Sequence, residues 1–143
     1  MCLKWFKKHN NSDAVEIDAD SLESWIKRVI PTTTIETFDR LYRLPPFDEV
    51  IQFLELDLTD RGMYKSEFKD CDDFAIILWG LWKAKYGEQY TGFGLVLTDT
   101  PQGAHAANIF VDNEYDIWLI EPQNDRIFLL EDKTDWSPYT VIF

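Results

Sequence analysis

The chain has 143 residues, 45 % of them apolar and 15 % aromatic, and a formal net charge of −12 at pH 7. That size fits one domain (residues 1–143) with a core of its own and leaves no room for a second. The acidic balance repels phosphate backbones and excludes nucleic acid as a default partner, while the two cysteines, Cys2 and Cys71, exclude a disulfide framework.

At the start, Lys4, Lys7 and Lys8 are followed by no long apolar run, so the apolar stretch of a secretory signal is missing. Nothing elsewhere approaches a transmembrane length. Residues 1–19 read as a loosely ordered tip and acidic tether, in which Cys2 is an inert thiol or, beside three lysines, an acylated one. A lone core thiol suits a reducing compartment, and the cytosol is the expected location.

Leu22, Trp25, Ile26 and Val29 recur at helical spacing, with Asp20 or Ser21 as cap and Pro31 as the stop. Thr32 to Phe38 is β-branched and extended, and Arg40 to Pro46 is a connector fixed by its prolines. Phe47, Val50, Ile51 and Leu54 mark a second helix, followed by a polar loop from Asp57 to Lys69.

Cys71, Phe74, Ala75, Leu78 and Trp82 then fall on one face of a central helix. Asp70 is its N-cap, Asp72 and Asp73 suit its first turn, Lys83 and Lys85 its last, and Gly87 ends it. From Gly92 the apolar period changes to two, predicting strands at Phe93–Thr98, His105–Val111, Asp116–Glu121, Arg126–Leu130 and Tyr139–Phe143. Helices first and strands second imply an α+β fold with the Cys71 helix packed on an antiparallel sheet.

Cys71 at a helix start, His105 before a strand and Glu121 at the end of the next strand form the layout of a thiol nucleophile, its base and the base's orienter. The helix N-terminus favours the thiolate, whereas the three neighbouring aspartates oppose it, so the site needs His105 as a cationic partner. A three-residue hairpin loop at Asp112–Glu114 would pair Val111 with Tyr115 and set His105 opposite Glu121, sharing a sheet face. That face, with Ala107, Ile109 and Val111, would then meet the Cys71 helix. A two-residue loop would place His105 on the other face.

Asp70-Cys71-Asp72-Asp73-Phe74-Ala75, Ala104-His105-Ala106 and Trp118-Leu119-Ile120-Glu121-Pro122 resemble the transglutaminase-like cysteine proteinases of the papain-like superfamily. The likeness runs from about Tyr64 to Asp125 and extends to small phage-associated members. It implies a papain-like or transglutaminase-like core and amide or isopeptide hydrolysis, or acyl transfer, on a peptide or protein substrate. Cys71 would be the nucleophile, His105 the base and Glu121 the orienter in place of the family's more usual Asp. Asn124 and Asp125 are alternative orienters. The backbone N–H of Cys71 would be one oxyanion donor, with Tyr64 or Gln52 as candidates for another.

Asp70, Asp72 and Asp73 offer oxygen donors for a hard cation, but consecutive helical positions diverge, and no His or Cys pair has zinc spacing. No metal or other cofactor is expected. The six tryptophans exceed the needs of this core, and one or two beside a cleft would suit a sugar or peptide groove. The second functional reading is accordingly a catalytically silent module on the same fold that binds a peptide, a sugar or a protein.

Overall fold

Side chains that reach back to the free amides of the first turn start two of the three helices in this computed structural model, which describes residues 14–65 and 69–143. The Asp18 carboxylate accepts bonds from the Ser21 amide and hydroxyl, both at 2.8 Å, and starts α1 (Ala19–Lys27). The cap therefore lies ahead of Asp20 and Ser21, the expected pair. In α3 (Cys71–Tyr86) a capping box joins Asp70 and Asp73, with Asp73 accepting from the Asp70 amide at 3.1 Å. Gly87, at φ +47, ends the helix. Between them, α2 (Phe47–Leu56) follows Pro46 without a side-chain cap.

Strands come first as well as last among the described residues. β1 (Val15–Asp18) pairs antiparallel with β3 (Leu41–Leu44) in a two-stranded sheet. These segments were expected as tether and connector; four-residue strands give too few alternations to stand out beside acidic residues and prolines. β2 (Thr34–Glu36) joins β4 (Phe93–Thr100), β5 (Gly103–Val111), β6 (Ile117–Glu121), β7 (Arg126–Leu129) and β8 (Ser137–Ile142) in a six-stranded sheet ordered β2-β8-β4-β5-β6-β7.

The β2–β8 pair is parallel, so the expected all-antiparallel sheet is mixed. Eight strands against three α-helices among the described residues make the fold β-rich, and the expected helix-first α+β layout is corrected accordingly. Residues 1–13, with Cys2, lie outside the described residues.

The two sheet faces carry separate cores. Ala107, Ile109, Val111, Leu119 and Val141 meet Leu22 and Ile26 of α1 on one face. Phe93, Phe110 and Ile120 meet Val50 and Phe53 of α2 and Leu78 and Trp82 of α3 on the other. Trp82 and Phe93 stack with ring centroids 4.6 Å apart. Gly94 lets β8 run close beside β4: a Cβ there would collide with the Ile142 carbonyl oxygen. No helix among the described residues is long and apolar enough to cross a membrane.

Candidate functional site

The β5–β6 turn sets the geometry of the imidazole. The buried Asp112 carboxylate accepts from the amides of Glu114 (2.9 Å) and Asp116 (3.0 Å) and from Trp118 Nε1 (2.8 Å). Burial raises the Asp112 pKa, and the Trp118 bond opposes that shift. Wrapped around this side chain, with Tyr115 in the left-handed region at φ 66, the turn takes five residues, and Val111 pairs with Ile117. The expected three-residue loop and Val111–Tyr115 pair are thus corrected.

A slip of two residues preserves the face on which each side chain lies. His105 is consequently diagonal to Glu121 instead of opposite it, and His105 Nε2 still lies 2.6 Å from Glu121 Oε2. Both side chains are mostly buried, 17 % and 14 % exposed. A cross-strand diagonal is within reach of long side chains, which accounts for the contact. Glu121 Oε1 also accepts from the Gln123 amide at 3.3 Å, fixing the carboxylate at the turn. Trp136 packs its ring edge-on to the imidazole, with centroids 5.2 Å apart. Lys133 lies over Trp136 at 5.2 Å from its centroid.

Cys71 is the first residue of α3 and is half-buried. Its helix packs on the opposite face of β5 from the one expected. Asn108 Nδ2 donates to the Ala75 carbonyl (2.9 Å) and the Gly94 carbonyl (3.2 Å), pinning the first turns of α3 over the even-numbered side of the strand. His105 lies with Ala107 and Ile109 on the odd-numbered side. Among the described residues no hydrogen bond joins Cys71 to His105. The structure therefore brings imidazole and carboxylate together, with the thiol at the end of a helix on the other face.

The remaining candidates are spread out. Asn124 accepts from the Arg126 amide at 3.0 Å and does not orient His105. Asp125 sits at φ 57, and its pKa is pushed up to about 6 by burial and by the charges of Asp60 and Asp57. Tyr64 is 55 % exposed in the loop before α3, and Gln52 lies exposed on α2. The carboxylates of Asp70, Asp72 and Asp73 come within 4.8 Å of one another, closer than diverging helical positions imply. Trp136 and Asn108 were missed by sequence reasoning. Neither belongs to a motif, although an Asn inside the apolar run Ala106 to Val111 is a signal of a buried polar tie.

No protein-family model matches the chain, and no curated protein gives a significant match. Several solved structures are similar, among them two with high overlap. One, described as "PSL1a-E64 complex", superposes with a TM-score of 0.75 at 22 % identity over 90 % of this chain and 50 % of its own. The other is Polyporus squamosus lectin bound to the human-type influenza-binding epitope Neu5Aca2-6Galb1-4GlcNAc, with a TM-score of 0.73, 23 % identity, and coverage of 90 % and 49 %.

The chain shares their fold. It spans about half the length of each. This likeness overturns the transglutaminase-like, papain-like assignment and the cysteine protease, hydrolase, catalytic-triad and phage-associated descriptions drawn from it. The physical reason for the error is that helix caps and edge carboxylates recur in unrelated folds, so three short motifs do not fix a family.

Proposed function

We propose that the chain is a binding module whose partner is a glycan. The observation that carries this is the shared fold over nine-tenths of the chain with a lectin crystallised on a trisaccharide epitope. The hydrogen bonding of His105 supports it: the ring is committed to Glu121 and packed by Trp136, and no bond connects it to the Cys71 sulfur. Peptide substrates, the earlier expectation, have no such support.

Glycan-array binding followed by titration calorimetry tests the reading. Binding retained in Cys71→Ala is the expected result. A chain that binds no glycan on the array overturns it.

A second reading is favoured by one specific observation, the 2.6 Å His105–Glu121 pair on a sheet whose opposite face carries the helix that begins at Cys71. In this reading Cys71 is a reactive thiol for acyl chemistry, with His105 as base and Glu121 as its orienter. Alkylation of Cys71 below pH 7, lost in His105→Ala, would support it; a thiol reacting only above about pH 8, as a free cysteine does, would sink it.

A further inference from the structure

At the end of β6 away from Glu121, Tyr115 and Trp25 build a second, unassigned site. Trp25 Nε1 donates to the Tyr115 carbonyl at 2.7 Å, and the two rings meet edge-on with centroids 5.6 Å apart. The Arg28 guanidinium lies over the Trp25 ring, 4.7 Å from its centroid. On one side of this ridge is a cavity of about 130 Å³ lined also by Asp116, Leu129 and Glu131. On the other is a wider, open concavity that adds Glu16, Asp18 and Ser24.

Tyr115 is partly exposed, at 36 %, although it is a large aromatic. It is also held at φ 66, a region that a bulky residue enters only when the surroundings enforce it. The buried Asp112 carboxylate and the Trp25 bond do that. The result is a rigid ring presented between two concavities, each edged by carboxylates and one guanidinium.

We propose that this ridge is a subsite for a neutral pyranose, an inference that rests on the glycan-binding reading. The apolar face of a sugar ring can lie on Tyr115 while its hydroxyls donate to the carboxylates and accept from Arg28. Four acidic side chains, Asp18, Asp116, Glu131 and Glu16, the last paired with Arg43 at 3.1 Å, against the one arginine among the lining residues disfavour an anionic sugar at the same place.

The test is a titration of the full ¹⁵N-labelled chain with Galβ1-4GlcNAc, with its α2-6-sialylated form, and with a pentalysine peptide, following the Trp25 indole N–H. Galβ1-4GlcNAc should shift that signal and bind more tightly than the sialylated form. Tyr115→Asn should weaken it at least about tenfold, the loss of one stacked ring. Asn tolerates the left-handed backbone, so an unchanged melting temperature separates loss of the ring from loss of the fold. Arg28→Gln, a surface change, should weaken binding in the same direction.

Undiminished binding in both variants would overturn the subsite and leave the glycan reading standing. A shift caused by pentalysine alone would overturn the sugar assignment in favour of cationic side chains. If the unsubstituted chain binds none of the saccharides here or on an array, the glycan reading falls and the subsite with it.

Discussion

His105 and Glu121 are hydrogen-bonded at 2.6 Å across a β-ladder in which they are not opposite one another. The bond is mostly shielded from water and joins two groups that can each carry charge, so it should stabilise the fold beyond a surface pair. In a double-mutant cycle of His105→Ala and Glu121→Ala, chemical denaturation is expected to give a coupling of about 1 kcal/mol. Strict additivity would mean that the contact contributes nothing.

Asp125 carries a pH prediction. Its folded pKa of about 6 lies above the ordinary 3.8, so the folded state holds the proton more tightly than the unfolded state. Its unfavourable contribution is absent below about pH 4, grows as pH rises through 4 to 6, and is complete above 6. Asp125→Asn should therefore stabilise the protein at pH 7.5 by up to about 1 kcal/mol, allowing for solvent screening of a partly exposed group, and change nothing at pH 3.5. Because Asn accepts φ 57, the backbone is not the variable. Melting curves at the two pH values check this.

Two glycines respond in opposite directions. Gly94→Ala places a methyl against the Ile142 carbonyl in a central strand pair, and a loss of more than about 3 kcal/mol is expected. Gly80, in the interior of α3, has open space where its Cβ would be, and Gly80→Ala should add about 1 kcal/mol through helix propensity. Equal effects in denaturant titrations would show that β4 and β8 do not approach as closely as described.

Asn108 is fully buried and its amide ties α3 to the sheet through Ala75 and Gly94. Asn108→Ala should cost about 2–3 kcal/mol by leaving two carbonyls without their donor. Asn108→Asp should cost more, since a carboxylate would face those carbonyls. Hydrogen exchange of the first turns of α3 should accelerate in both.

The sequence made some of this visible. Apolar spacing and capping residues placed α3 and its start at Cys71, and the period-two runs from Gly92 onward located all five strands that follow. The His105–Glu121 contact was legible because an error of two residues in the hairpin leaves the faces unchanged. The turn itself was not legible, since the choice between three and five residues depends on Asp112 being buried under Trp118, a tertiary fact. The same limit hid the face on which α3 packs: both sides of β5 are apolar, so the alternation that would point the helix to one of them is absent. Trp25 and Tyr115 are ninety positions apart and share no pattern.

β8, last in order among the described strands, runs between β2 and β4, paired with both. The six-stranded sheet cannot close until residues 137–142 have been synthesised, so a ribosome-bound chain must keep β2 and the long β4–β5 hairpin apart while they wait for a late arrival. Such topology delays native pairing until β8 itself is available. Clipping only those six residues would uncover the sides of β2 and β4 that β8 pairs with in the native sheet, adding two open strand edges.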